Sequence, residues 1–271
     1  MTRRTLALIA LLSLVGCRDR TEVVERVQID RAPKALAPER LRVEVVRRLP
    51  HDVGAFTQGL LIDEGRLFES TGLVGESTLR EVDLESGRVI RRRDVPPPHF
   101  GEGLVKVGDE LILLTWQTGK AFRFRAETFE PLGEHDYEGE GWGLTFDGSR
   151  LVMSDGSATL QFRDPRTFAL LSTVDVRLEG RPVHRLNELE YARGLVWANV
   201  WQTDRIVAID PATGNVVKVV DARGLLDRAE RFRADVLNGI AYDSRRGAFY
   251  VTGKRWPWLF EVRFVPEEKN P

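Results

Sequence analysis

Five stretches of this chain repeat one pattern of apolar and polar positions. They are "QGLLIDEGRLFEST" (58–71), "EGLVKVGDELILLTW" (102–116), "WGLTFDGSRLVMSDGS" (142–157), "NELEYARGLVWANVW" (187–201) and "NGIAYDSRRGAFYVTGK" (238–254). Each opens on a variable residue, then Gly (once Glu), then Leu or Ile. A short alternating run follows, then a Gly- or Asp-containing turn, then a run rich in Val, Leu and aromatics. This pattern predicts a β-hairpin. A third alternating run comes after each hairpin: "TLREVDL", "AFRFRA", "TLQFRD", "RIVAIDP" and "LFEVRF". A fourth follows in the first four units: "RVIRRRDV", "EPLGEHDY", "ALLSTVDV" and "NVVKVVDA". Asp, Pro and Gly between third and fourth runs, as in "DLESG", "DPRTF" and "DPATG", are turn chemistry.

The variable residues are Gln58, Glu102, Trp142, Asn187 and Asn238, at spacings of 44, 40, 45 and 51 residues. Four strands recurring at this period predict an all-β, five-bladed β-propeller. The fifth unit ends without a fourth strand, whereas "RLRVEVVRRLP" (40–50) has a strand pattern and no unit of its own. The N-terminal strand is therefore expected to close the last blade, giving a ring over residues 40 to 267. The long last spacing is assigned to a short inserted helix in "GLLDRAERFRADV" (224–236).

In such a fold the first strand of each blade lines the axis, so the five variable residues should form a ring. Gly beside them lets neighbouring chains approach closely. A ring of Gln, Glu, Trp, Asn and Asn is polar and asymmetric, unlike a packing layer. The ends of the second strands should reach the same rim, bringing Ser70, Trp116, Asp155, Trp201 and Lys254. Trp116, Trp142 and Trp201 fit either a ligand wall or plain core. Glu102 among indoles would be desolvated and pushed toward neutrality, suited to acid–base work; the alternative is a Glu bonded to backbone N–H groups across the axis. Gln58, Asn187 and Asn238 fit either substrate contacts or hydrogen bonds between blades. Trp256 and Trp258 around Lys254 argue against its free solvation.

Composition narrows the class. The chain has 271 residues, 30% of them charged, and a formal net charge of -1, which argues against nucleic acid as a partner. The only cysteine, Cys17, ends the leader "MTRRTLALIALLSLVGC". Two Arg, an apolar run and "LVGC" read as a secretion signal over residues 1–16. That ending resembles a bacterial lipobox, in which the cysteine is lipidated; an ordinary signal peptide is the alternative. Residues 17–39 then form a charged, Pro-containing tether, and residues 40–271 the folded domain. The expected location is the cell envelope, on a bacterial membrane and held by the lipid on Cys17, with the domain a monomer. The scattered His51, His99, His135 and His184, the missing HExxH and the lack of a cysteine set give no support for a zinc site. No G-x-S-x-G elbow is present.

The segments "FTQGL", "ESTGLVGESTLR", "FGEGL", "LTWQ", "GWGL", "SDGS", "NELEY", "VWANVWQTD", "IDPATG", "LNGIAYD" and "TGKRWP" together resemble the plant- and bacterial-type glutaminyl-peptide cyclotransferases from about residue 50 to 265. The resemblance implies a five-bladed propeller that cyclises the N-terminal Gln of peptides to pyroglutamate and releases ammonia, with no metal or cofactor. It implies Glu102 as acid/base, and Phe56, Gln58, Phe100, Trp116, Trp142, Asn187, Trp201 and Lys254 as pocket residues. Asn187 and Lys254 are then candidates to stabilise an oxyanion, and Gln58 to read the substrate's amide or α-amine; Asn238 joins the substrate-binding set from its place in the ring. The reading from another class is a non-catalytic, lipid-anchored propeller that binds peptides or scaffolds an envelope complex.

Overall fold

A computed structural model describes residues 37–267. The leader, Cys17 and most of the tether lie outside the described residues. Strand β1 (Glu39–Pro50) comes first. It is followed by β2 (Thr57–Asp63), β3 (Arg66–Thr71), β4 (Thr78–Val82) and β5 (Val89–Asp94), which pair in that order as one antiparallel sheet. A second four-stranded sheet holds β6 (Gly101–Val107), β7 (Glu110–Thr115), β8 (Lys120–Arg125) and β9 (Pro131–Asp136). A third holds β10 (Leu144–Phe146), β11 (Leu151–Met153), β12 (Thr159–Arg163) and β13 (Leu170–Asp175). A small hairpin of β14 (Arg177–Leu178) and β15 (Arg181–Pro182) follows, turning at Glu179 and Gly180, both with positive φ. Sequence pattern did not predict this hairpin.

The last seven strands of the described residues, β16 (Leu186–Ala192), β17 (Leu195–Val200), β18 (Arg205–Ile209), β19 (Val216–Asp221), β20 (Leu237–Asp243), β21 (Ala248–Gly253) and β22 (Trp258–Pro266), join with β1 in an eight-stranded sheet, ordered β16-β17-β18-β19-β1-β22-β21-β20. Strand β1 pairs antiparallel with β22, as the missing fourth strand predicts. It also pairs in parallel with β19 through Glu39↔Lys218 to Arg42↔Asp221. The fourth and fifth repeats are thus fused through the N-terminal strand instead of standing as separate sheets.

Packing follows the repeat. One core cluster joins the first and second repeats (Leu79, Leu104, Leu113), one the second and third (Leu114, Leu144, Met153), and one the third and fourth (Leu160, Leu189, Val207). Two more join the fourth to the fifth (Trp197, Ile240, Phe260) and the fifth back to the first (Tyr250, Leu259, Leu60). Each such Leu or Phe contributes roughly 1.5–3 kcal/mol by leaving water. The first strands touch in the cyclic order β2, β6, β10, β16, β20 and back to β2.

The expected helix is α1 (Arg228–Arg233). Asp227 caps it and Glu230 bonds back to the cap, a capping box. Glu230 also accepts from Trp258 Nε1 at 2.6 Å, pinning this insertion to the final strand.

Candidate active site

The glycine frame does what close approach requires. A side chain at Gly59 would strike the Leu104 backbone, one at Gly103 would strike Gly143 and Leu144, and one at Gly143 would strike Asn187 and Glu188. The frame of each repeat therefore rests on that of the next. Pairing shifts register around Gln58, Glu102, Asn187 and Asn238 in β2, β6, β16 and β20, so each variable residue sits on a bulge. In the third repeat Trp142 precedes the short strand β10.

The ring forms. Gln58 Nε2 donates to Glu102 Oε1 at 2.7 Å, and Asn238 Nδ2 donates to Gln58 Oε1 at 3.2 Å and to the Thr57 carbonyl at 3.0 Å. Gln58, Glu102, Asn187 and Asn238 are all buried. Among the described residues, Glu102 Oε2, Asn187 Oδ1 and Asn238 Oδ1 have no hydrogen-bond partner. Buried polar atoms are normally paired, so orphans gathered along one axis need an explanation.

A second ring lies outside the first. The backbone N–H groups of Gly72, Trp116, Trp201 and Lys254 donate to the carbonyls of Phe56, Phe100, Arg185 and Val236, each two residues before a variable residue. These are equivalent positions, and Gly156 fills the slot in the third repeat. Ser70 lies two residues short of this ring and Asp155 one short, so neither is a rim residue. Ser70 is fully buried, its Oγ donating to the Glu102 carbonyl at 2.5 Å. Asp155 accepts from Ser157 N and Gln161 Nε2. Neighbouring rings take the space left by the two glycines: the Phe100 ring lies against Gly72 and the Trp142 indole against Gly156.

The aromatic groups form an arc. Phe56 meets Phe100 edge-on at 6.1 Å between centroids, and Phe100 meets Trp116 at 5.7 Å. Trp142 meets Trp201 at 5.5 Å. Lys254 Nζ stands 4.7 Å from the Phe56 centroid at one end, and the Arg185 guanidinium 6.0 Å from Trp201 at the other. The structure thus brings together Phe56, Gln58, Phe100, Glu102, Trp116, Trp142, Trp201, Asn238 and Lys254, and places Asn187 at the equivalent position of the fourth repeat.

Electrostatics mark Glu102. Burial pushes its carboxyl well above the usual carboxylate range; the Lys254 ammonium opposes this and the Glu140 carboxylate adds to it. Burial lowers Lys254 below the usual range for an ammonium, against the pull of Glu102 and Asp235. A desolvated carboxyl with one free oxygen beside a desolvated amine can give and take protons. Among the described residues, no three His, Cys, Asp or Glu side chains group closely enough to hold a metal ion.

Two contributors were missed by the sequence reading. Glu140 occupies the third-repeat slot equivalent to Phe56 and Phe100, and Arg185 the fourth-repeat slot. The signal was available in the residue two before each variable position. Glu188, standing where the other repeats have Gly, reaches across the axis: its Oε1 accepts from Leu60 N at 3.3 Å and its Oε2 from Ile240 N at 2.7 Å.

Known proteins share this design. A family model described as glutamine cyclotransferase matches residues 20–264. A glutaminyl-peptide cyclotransferase of Arabidopsis thaliana is 43% identical over 229 residues, covering 82% of this chain and 71% of the relative. The crystal structure of Myxococcus xanthus glutaminyl cyclase superposes with a TM-score of 0.78 at 41% identity, covering 85% of this chain and 100% of that one. With a family model spanning most of its length and a relative this similar, the chain belongs to the glutamine cyclotransferase family.

Proposed function

We propose that this protein is a glutaminyl-peptide cyclotransferase, an acyltransferase that closes the N-terminal Gln of a peptide into pyroglutamate and releases ammonia. The observation that carries the reading is Glu102: buried, bonded through one oxygen only among the described residues, and set beside Lys254 and the aromatic arc. Family membership supports the same activity.

The α-amine attacks the γ-carbonyl of its own residue, so folding the substrate into attack geometry supplies much of the rate. Trp116, Trp142 and Trp201 wall the side chain, with Phe56 and Phe100 beside them. Gln58 and Asn238 position the amide. As the amine–carbon bond forms and the carbon–nitrogen bond of the amide breaks, one proton must leave the attacking nitrogen and one must reach the departing nitrogen. Glu102, whose hold on its proton burial strengthens, gives that proton to the departing nitrogen and takes one back from the amine, ending as it began. Asn187 and Lys254 donate to the oxyanion that develops on the γ-oxygen. An α-amine with a pKa near ~8 is already partly neutral at pH 7, so the nucleophile needs no further activation.

The cyclic contacts of the first strands and the five interleaved core clusters support a five-bladed propeller over residues 40–267, with the fourth and fifth blades fused by β1. The leader and Cys17 support an exported lipoprotein tethered to a bacterial membrane. The activity is tested by incubating the purified domain with a Gln-initiated peptide while following ammonia and peptide mass. Cyclisation above the spontaneous rate is expected; none above it would overturn the reading and leave a peptide-binding module.

A further inference from the structure

The aromatic arc is interrupted once. Phe56, Phe100 and Trp116 form one run and Trp142 and Trp201 another. The link between them is a carboxylate. Glu140 Oε2 accepts from Trp116 Nε1 at 2.8 Å and from Trp142 Nε1 at 2.9 Å, while Oε1 accepts from Gln117 Nε2 at 2.9 Å. The two indoles come from different sheets: Trp116 follows β7, and Trp142 precedes β10. Glu140 stands in the slot that holds Phe56 and Phe100 in the first two repeats, where an aromatic would continue the arc but could not accept two indole protons.

The surrounding backbone aims it. Gly141 N donates to the Trp116 carbonyl at 3.0 Å, and Trp142 N to the Ser154 carbonyl at 3.0 Å. A side chain at Gly141 would strike the Tyr137 hydroxyl, itself bonded to the Thr115 carbonyl, so only Gly fits between Glu140 and Trp142. Of the six tryptophans, Trp197 and Trp256 donate to backbone carbonyls and Trp258 to Glu230 at the base of α1. Trp116 and Trp142 alone share one acceptor among the described residues.

We propose that Glu140 is a positioning residue: one carboxylate that clamps the two indole walls of the pocket together across the sheet boundary and sets the width of the slot that receives the substrate's glutamine side chain. This deepens the cyclotransferase reading and rests on it. The clamp needs two acceptor lobes and not a charge. Glu140→Gln keeps it, because the amide oxygen takes both indoles while the amide nitrogen faces Gln117, whose own amide can turn to accept.

The test joins an indole-resolved NMR spectrum to steady-state kinetics on a Gln-initiated peptide. In Glu140→Ala the Trp116 and Trp142 Nε1–H resonances should move upfield together, those of Trp197, Trp256 and Trp258 staying in place, while KM rises roughly tenfold or more and kcat changes less, as expected when hydrogen bonds to a charged group are lost. Glu140→Gln should hold both resonances near their wild-type positions and restore KM to within about threefold, less than one lost hydrogen bond would cost. Gln117→Ala should shift both in the Glu140→Ala direction by a smaller amount. The proposal fails if Glu140→Ala leaves the two resonances in place, if they move while KM stays at the wild-type value, or if Glu140→Gln is as impaired as Glu140→Ala. A thermal melt of each variant separates these outcomes from misfolding. If the wild-type protein cyclises nothing, the functional reading has failed, and the indole shifts still decide whether the clamp exists.

Discussion

Two buried glutamates lie on the axis of this molecule, and they are built for opposite ends. Glu188 and Glu102 are both pushed well above the usual carboxylate range, and burial is the main cause in each. Glu188 is satisfied: its two oxygens accept backbone N–H groups from β2 and β20, so one side chain ties the fourth repeat to the first and the fifth. Glu102 accepts one hydrogen bond, from Gln58, and its other oxygen has no partner among the described residues. A shifted carboxyl alone does not mark chemistry, since structural carboxyls shift too. The free oxygen and the neighbouring Lys254 are what separate the proposed proton carrier from the staple.

The largest effect that can break this distinction belongs to Glu102→Gln. The change keeps the Gln58 contact within reach but removes the exchangeable carboxyl, and kcat should fall by about 10²–10⁴, the usual worth of positioned acid–base catalysis. Its thermal midpoint should stay close to wild type; a variant that keeps its rate would remove Glu102 from the mechanism. Lys254→Met and Asn187→Ala come next. Each removes one donor assigned to the oxyanion, and each should cost about 10²-fold in kcat, measured at saturating peptide. If KM alone changed, these residues would be holding the substrate and not the transition state.

Glu188→Gln sharpens the other side. Its amide can accept from only one of Leu60 N and Ile240 N and turns a donor toward the other. Chemical denaturation should show a loss on the order of 2–3 kcal/mol, the cost of a buried donor left unpaired, while kcat per folded molecule stays near wild type. Loss of turnover without loss of stability would erase the contrast with Glu102.

Much of this was legible in the sequence, for a physical reason. The repeats must pack alike, so the pattern that builds the fold also registers the site, and the residue ahead of each repeated frame identified the ring. Strand β1 was foreseen against β22 because the fifth repeat lacks a fourth strand. Its parallel pairing with β19 was not, because contact between outer strands leaves no mark in the period. The second ring was misplaced at Ser70 and Asp155. In those repeats the true slots are Gly72 and Gly156, and a residue without a side chain gives pattern nothing to match. Glu140 was overlooked because its equivalents, Phe56, Phe100, Arg185 and Val236, share no residue type with it, and the role proposed for it comes from two indole N–H groups that only folding brings together. The substitution of Gly by Glu188 was visible, whereas its reach across the axis depends on the ring being closed.

Desolvation holds the Glu102 carboxyl well above the usual carboxylate range, which is what lets it carry a proton in the proposed reaction. Carbon-13 NMR of glutamate-labelled protein, with the Glu102 carboxyl resonance assigned by its disappearance in Glu102→Gln, measures this directly. This carbon should titrate well above the ~4.3 of a free glutamate, so that the acid form predominates below that midpoint and is lost as pH rises through it. A midpoint at or below the free value would show an ordinary ionised carboxylate at neutral pH and remove Glu102 as the proton carrier.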